Sequence, residues 1–532
     1  MPRLLRFAAS AALLVSVATL LSRLVGFLRW IVFSPTVGAG AVGTAYQSAN
    51  QVPNILFEVV AGGALAGAVV PLLAGPLARA DTRTASRIAS ALLTWSVAVT
   101  LPLAILVAVF SRPIAHALLG DPAQAEYASG FLLVFAPQLV LYGIGGVLTG
   151  VLQAHRKFLW PAFMPLLSSL LVIAVYVGYA RLRGPEVAPD DPAALALLGW
   201  GTTAGVAALA LPLALPTART GLRLRPTLRF PVGAGRRAVR LAAAGMAVLL
   251  AQQAAILIIM VVANRVGGAG VFVVFSYVQA VYLLPYAVLA VPVATIAFPR
   301  LSELASDPQA TEDTDRMIAR TSRLVVVLGL LGAALLFAAA GPLGHFFGGL
   351  DAARSEAGEV FPALSDTVRV IAWAVPGWCF VAWGTRVFYA LERSRIAAIA
   401  TAIGWSAVAL SVVAGIPLVT AAPAPRTLVL VGAAHVVGMT IAGLVLLLGI
   451  LRARGSTALA GLPRTLLVAG AGAVLGSLTG TFTARGLGEL LGHAPAPSVV
   501  AGLAAGTAAV LTGAALVALL DRTALTHLRA LR

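Results

Sequence analysis

The chain has 532 residues, of which 60% are hydrophobic and only 11% charged, whereas an average soluble globular chain is about 25% charged. Apolar runs of about twenty residues recur along its whole length, the signature of membrane-spanning helices rather than of one buried core. The formal net charge is +18 and the only cysteine is Cys379, which excludes an intramolecular disulfide and a multi-cysteine metal site.

The opening stretch "MPRLLRFAASAALLVSVATLL" has the basic start and apolar run of a signal peptide. Its run continues past signal-peptide length and carries Arg23 and Arg29, so it reads as a first retained span. Taken in chain order, the apolar windows predict fourteen spans, at about 9–33, 44–75, 88–110, 128–152, 160–180, 193–216, 239–263, 270–298, 322–346, 367–390, 396–420, 427–451, 464–484 and 498–520. The expected fold class is an all-α polytopic membrane protein.

Placing both termini in the cytoplasm puts most of the 37 Lys and Arg residues in inside segments. Among them are Arg79, Arg83 and Arg87, Arg156 and Lys157, and a run of arginines from Arg219 to Arg240 that contains no acid. The outside loops are poor in basic residues, as the positive-inside rule requires of a correct count. The net charge therefore reads as topology and as contact with anionic lipid headgroups. No nucleic-acid partner is expected.

Beyond the basic run the pattern restarts. "VPNILFEVVAGGALAGAVVPLLA" in the second span and "LPYAVLAVPVATIAFPRLS" in the eighth each follow a tyrosine, Tyr46 or Tyr277, and each runs between prolines. Short basic loops, "QAHRKF" and "LERSR", precede the fifth span of each half. Copies separated by an even number of spans share orientation, which implies parallel repeats about an axis along the membrane normal, with a central cavity. The expected organisation is a six-helix bundle over 1–216, a basic cytoplasmic linker over 217–238, a second six-helix bundle over 239–451, and two extra helices with a cytoplasmic tail over 452–532.

No P-loop is present, because Lys157 is the only lysine and no glycine-rich loop precedes it. Neither an HExxH nor another metal-ligand spacing occurs, and His435 within the twelfth span reads as a packed, hydrogen-bonded side chain. Neither an enzyme nor a nucleotide-driven pump is expected, and no cofactor. The remaining class is a multi-pass transporter driven by gradients or by membrane potential.

Polar residues inside the spans mark the expected site. At 1.5 Å per residue, Arg23 lies about 25 Å along the helix from Arg6 and Arg29 about 35 Å. An arginine at mid-bilayer is about 2.5–3.5 kcal/mol uphill and normally faces a bundle interior or a watery cavity. Guanidinium groups hold phosphate oxygens in a bidentate fork, so Arg23 and Arg29 are candidate anion ligands; for Arg29 an interface anchor is an equal alternative. In the second span, spacings of three and four put Asn50, Asn54 and Glu58 on one polar face with Gln47. Gln252 and Gln279 are the uncharged candidates of the second half. Arg386 reads as a residue that snorkels to the cytoplasmic edge.

"SRLVGFLR" in the first span, "VPN" in the second, the closing "GGALAGAVVP", and "GVLTGVLQAHRKFLWPAFMPLL" together resemble the MurJ (MviN) family of lipid II flippases, in the multidrug/oligosaccharidyl-lipid/polysaccharide exporter superfamily. The resemblance implies movement of undecaprenyl-diphosphate-linked peptidoglycan precursor from the inner to the outer leaflet of a bacterial plasma membrane, by alternating access. It further implies partners among membrane lipids and cell-wall synthesis proteins, and diphosphate binding by the first-span arginines, matched here by Arg23 and Arg29. Two expected basic positions are occupied by Phe57 and Ala280, and two expected acids by Trp30 and Thr44. Those departures leave two other readings open: export of another polyprenyl-linked glycan or amphipathic molecule, and a non-transporting membrane scaffold.

Overall fold

Hydrocarbon offers backbone N–H and C=O groups no partner, so a chain this apolar must satisfy them within its own helices. The structure, a computed structural model, describes residues 2–59, 67–183, 191–231, 233–351 and 360–521, and contains no strand among them. Residues 60–66 of the second-span motif and the tail 522–532 lie outside the described residues.

In chain order the helices are α1 (Pro2–Thr36), α2 (Ala41–Phe57), α3 (Gly67–Ala78), α4 (Thr82–Val109), α5 (Ser111–Leu118), α6 (Pro122–Phe135), α7 (Gln138–Ala154), α8 (Leu159–Arg183), α9 (Pro192–Ala210), α10 (Ala214–Ala218) and α11 (Ala234–Val262). They continue with α12 (Val271–Pro285), α13 (Val291–Ser306), α14 (Thr311–Asp351), α15 (Val360–Ile371), α16 (Val375–Ala390), α17 (Ser394–Ala414), α18 (Pro423–Arg454), α19 (Leu462–Leu491) and α20 (Pro495–Leu520).

Among the described residues twelve helices are long and apolar enough to cross a membrane, and thirteen if α6 and α7, bent by 42°, form one span. The second expected span, 44–75, is described only as α2 and α3, with residues 60–66 between them undescribed, and is not in that count.

Two of the expected spans carry a widened turn close after a proline. α2 contains Pro53, and a wider π-type turn follows at Glu58. α12 ends at Pro285, and a π-type turn spans Tyr286–Ala290 before α13 resumes. Proline lacks the N–H that closes the regular i→i−4 ladder, and widened turns are one way for a helix to accommodate the gap.

The chain divides into two compact units, Met1–Gln253 and Ala254–Arg532, and the boundary falls inside α11. In the first unit α1 packs along α8, α8 along α9, α2 against α6, and α3 and α4 against α7. Gly201 and Gly205 let α9 approach α8: a Cβ at Gly201 would sit 2.5 Å from Val175 Cγ2, and one at Gly205 2.5 Å from Val172 Cγ2. Small residues permit such backbone approach where water supplies no hydrophobic drive between helices.

The arginine-rich stretch after α10 is docked rather than loose. Backbone N–H groups of Arg223, Arg225 and Thr227 donate to Ser86 Oγ, Ser90 Oγ and Thr94 Oγ1 at 3.1, 2.9 and 3.0 Å. Two residues of extended chain rise about 6.6 Å and four residues of helix about 6 Å, so an extended strap matches a hydroxyl on every fourth residue of α4. Leu222 is buried in the core of α3, α4 and α7, with Leu224 and Phe230 packed against it. Arg223, Arg225 and Arg229 stay exposed.

In the second unit α14 is the longest element, and α13, α15, α16, α19 and α20 all pack on it. α17 lies on α18, which packs in turn on α15 and α16. The α19–α20 pair closes on Gly472 and Gly480, where an added Cβ would come 3.0 Å from Gly513 O and 2.6 Å from Ala505 O.

Candidate functional site

α1 remains helical from Pro2 to Thr36, straight through Gly26. Ser22 Oγ donates to Ala162 O at 2.9 Å and fixes this helix to the start of α8. Arg23 is exposed, whereas Arg29 is half-buried.

Arg29 is one turn before Phe33, and Phe33 belongs to an aromatic hub. Its ring centroid lies 5.8 Å from that of Tyr46 and 5.2 Å from that of Tyr176, while Tyr46 also packs against Phe131 and Phe135 at 5.6 Å each. The Tyr46 hydroxyl is 3.1 Å from Tyr176 Oη and 2.9 Å from Thr202 Oγ1. The Arg29 charge acts on the phenols of Tyr46, Tyr142 and Tyr176. Its guanidinium carbon stands 5.8 Å from the Trp30 ring centroid, within cation–π range. The first-span cation thus lies over the Trp30 ring and within electrostatic reach of three phenols. Neither first-span arginine forms an ion pair with Glu58 among the described residues.

The polar face of α2 is present as read: Asn50, Asn54 and Glu58 are all half-buried and Gln47 is buried. Asn54 Nδ2 donates to Asn50 O at 2.8 Å. Asn50 Oδ1 is buried with no hydrogen-bond partner among the described residues. An unmatched buried acceptor costs about 1–3 kcal/mol, so this oxygen calls for a donor from water or a ligand. Glu58 occupies the widened turn at the end of this face.

Phe57, at a position where the family resemblance leads one to expect a cation, packs on Tyr142 with ring centroids 5.2 Å apart and lies along Gly146 of α7. Tyr142 therefore touches an apolar ring on one side and feels the Arg29 charge. Sequence reading passed over Tyr142, Tyr176 and Thr202. Their signal was a hydroxyl inside an otherwise apolar span, weak because any one such residue fits a packed core.

Gln252 is half-buried in the first unit, and Gln279 half-buried in α12 of the second. Gln279 and Trp378 lie near the Tyr282 hydroxyl, a buried oxygen with no partner in hydrogen-bond geometry among the described residues. His435 is 1% exposed, and its Nδ1 is 2.8 Å from Val431 O. It is packed by Phe275, Tyr282 and Trp405, as a core histidine would be. Arg386 is half-buried; its Nη1 donates to Ala382 O at 2.8 Å and its Nη2 to Thr295 Oγ1 at 3.2 Å.

The family model described as "Lipid II flippase MurJ" matches residues 33–484. The chain belongs to the MurJ family. The matched range begins beyond Arg23 and Arg29, so the role of those residues rests on the local sequence and geometry. A probable lipid II flippase MurJ of Synechocystis sp. is 31% identical over 236 residues, covering 42% of this chain and 43% of the relative. The lipid II flippase MurJ of Burkholderia cenocepacia is 29% identical over 315 residues, covering 57% of this chain and 58% of the relative. The sequence match thus spans about half the length of these MurJ relatives.

Among solved structures, a lipid II flippase MurJ in an inward closed conformation superposes with a TM-score of 0.71 at 18% identity, covering 98% of this chain and 100% of that one. An inward-facing multidrug resistance MATE family transporter of the MOP superfamily gives 0.64 at 14% identity, covering 84% and 98%. Both likenesses concern the fold. This MurJ family member is a multi-pass membrane protein whose helical fold is similar to those of both structures.

Proposed function

We propose that the chain moves a polyprenyl-diphosphate-linked peptidoglycan precursor, lipid II, from the inner to the outer leaflet of the bacterial inner membrane by alternating access. The observation that carries this reading is Arg29, a half-buried cation in a membrane span within electrostatic reach of the phenols of Tyr46, Tyr142 and Tyr176. An unpaired ion in hydrocarbon costs many kcal/mol, and a diphosphate headgroup would be compensated by such a cation while phenol hydroxyls donate to its oxygens. The half-buried amides of Asn50 and Asn54 suit the sugar and peptide portion, as do Gln252 and Gln279; Arg23 is the second diphosphate ligand. With the inside negative, outward movement of an anion is favoured by about 2.3 kcal/mol per charge per 100 mV, a drive that needs no nucleotide and no catalytic chemistry.

This reading carries the remaining organisation with it: both termini cytoplasmic, a six-helix bundle over 1–216, a linker over 217–238, a second bundle over 239–451, and two extra helices with a tail over 452–532. Cell-wall synthesis proteins would receive the delivered precursor.

The packing of Phe57 on Tyr142 favours a second cargo reading, another polyprenyl-linked glycan held with fewer cations. One experiment separates them. A bacterium depleted of its lipid II flippase is complemented with this chain, with Arg29→Ala and Arg23→Ala alongside, and outer-leaflet lipid II is assayed at equal membrane levels. Rescue by the wild type and loss in Arg29→Ala support lipid II transport through this site. Failure of the well-expressed wild type shifts the cargo, and rescue by both variants removes the arginines from the site.

A further inference from the structure

At the end of the second unit where α14, α15, α19 and α20 meet, which the charge bias of the loops assigns to the outer side, there is a cavity of about 210 Å3. That is room for roughly seven waters at their liquid volume. His345, Arg369, Arg485 and His493 line it together with Ser498 and Thr481. His345 comes from α14, Arg369 from α15, Arg485 from α19, and His493 from the turn between α19 and α20. No acid lines the cavity among the described residues.

The two imidazoles lie with ring centroids 4.2 Å apart. That placement depends on a glycine: a Cβ at Gly488 would stand 2.8 Å from His493 Cε1. Arg369 Nη1 is bonded to Asp366 Oδ1 at 2.6 Å, while its Nη2 lies on the side of α14, 3.7 Å from where a Cβ of Gly341 would be. Arg485 has no ion-pair partner among the described residues. The described acids at this end of the same elements are Asp366, committed to Arg369; Glu489, exposed and one turn beyond Arg485; and Asp351, buried at the last position of α14, while Glu312, Asp313 and Asp315 stand at the opposite end of α14.

We propose that this cavity binds a phosphate group, with Arg369, Arg485, His345 and His493 as its ligands. Guanidinium groups bring paired donors matched to phosphate oxygens, and each imidazolium adds two more. Two imidazolium rings this close repel each other; an anion seated on both removes that repulsion, so binding and protonation proceed together. Affinity therefore rises with acidity, because the anion stabilises the protonated form of the ring pair. The phosphate is either free inorganic phosphate or the phosphodiester of an anionic lipid headgroup. This site is separate from the one around Arg29, and its test does not depend on transport.

The test uses the purified full chain in neutral detergent, titrated with inorganic phosphate at constant ionic strength and read by calorimetry. Saturable binding is expected; because inorganic phosphate itself takes up a proton over this range, sulfate, whose charge is constant, is titrated in parallel and should bind more tightly at pH 6 than at pH 8. Phosphate binding should weaken by about tenfold, the size of one charged hydrogen bond, in Arg485→Gln and again in His493→Gln, with Arg485→Lys intermediate. Arg485 and His493 are exposed, and an unchanged melting temperature without phosphate verifies folding. The protein is then placed in nanodiscs of phosphatidylcholine with and without phosphatidylglycerol. Loss of phosphate binding only with phosphatidylglycerol assigns the site to a lipid headgroup; equal binding in both assigns it to free phosphate. Absence of phosphate binding, or binding unchanged in both Gln variants, overturns the proposal, and sulfate binding independent of pH removes the histidines from it.

Discussion

Arg323 of α14 donates through Nη2 to Asp521 Oδ1 at 2.6 Å across 198 positions of sequence, and Thr465 of α19 closes a triangle between them. Thr465 Oγ1 donates to Asp521 Oδ2 at 2.6 Å and accepts from Arg323 Nε at 2.8 Å. The Asp521 side chain is 2% exposed and that of Arg323 13%. This triangle joins α14, α19 and the end of α20 by one charge pair whose hydrogen-bonding capacity is shared with a hydroxyl. A second pair, Arg454 Nε to Asp315 Oδ1 at 2.6 Å, joins α18 to the start of α14.

Removing one member of a buried pair leaves its partner's charge uncompensated, at a cost of about 3–5 kcal/mol. Asp521→Ala is therefore expected to lower the melting temperature of the purified protein markedly. Replacing both charges, Arg323→Met with Asp521→Leu, should recover most of that loss. If the single and double variants melt alike, the pair is not what holds α19 and α20 to α14.

The strap on α4 makes a second prediction. Ser86→Ala, Ser90→Ala and Thr94→Val each remove one acceptor for the N–H of Arg223, Arg225 or Thr227. A net hydrogen bond is worth about 0.5–1.5 kcal/mol, at the low end here because the strap is open to water. In the triple variant, tryptic cleavage after the exposed Arg223 and Arg225 should accelerate several-fold, with little change in global melting. Unchanged cleavage would mean that Leu222 and its apolar contacts alone hold the strap.

Asp81 caps α4, accepting from Thr84 N at 2.9 Å. Hydrogen bonds from the Thr84 side chain and then its backbone hold this carboxyl below its usual range. A group with a depressed folded-state pKa stabilises above its unfolded value, about 3.9, and that contribution is lost as pH falls through the folded value. Protection from hydrogen exchange at the first turn of α4, taken relative to the intrinsic rate at each pH, is therefore expected to fall in acid below about pH 4, and to lose this pH dependence in Asp81→Asn. A wild type without that acid response would show that the cap is not populated.

Arg29 and Arg23 are expected to differ. Arg29 is half-buried and acts on three tyrosines, whereas Arg23 is exposed. In the complementation assay Arg29→Ala should cut outer-leaflet delivery by at least tenfold, equivalent to about 1.4 kcal/mol, with Arg29→Lys retaining part of it. Arg23→Ala should cost less. The reverse order would move the headgroup toward the exposed face of α1.

Legibility in the sequence followed from how local each property is. The polar face formed by Asn50, Asn54 and Glu58 was readable because helical periodicity fixes which residues share a side, and α2 is regular up to its widened turn. Packing of His435 was readable because a lone histidine among apolar residues has little other use. The neighbours of Arg29 were not: Tyr46, Tyr142 and Tyr176 come from three other helices, and nothing in a single span says which of them will face α1. Nor was the strap, whose spacing becomes meaningful only when the hydroxyls of α4 lie beside it.

By itself the sequence determined that this is a helical membrane protein, where its apolar runs fall, and on which side of each run the positive charge gathers. Those properties depend on the transfer of side chains between water and hydrocarbon, which is additive along the chain. Tertiary structure alone decided that Arg323 meets Asp521, that Phe57 covers Tyr142, and that two arginines and two histidines line one cavity. Each is a meeting of residues far apart in sequence, set by how helices pack, and hydropathy carries no record of which faces will touch.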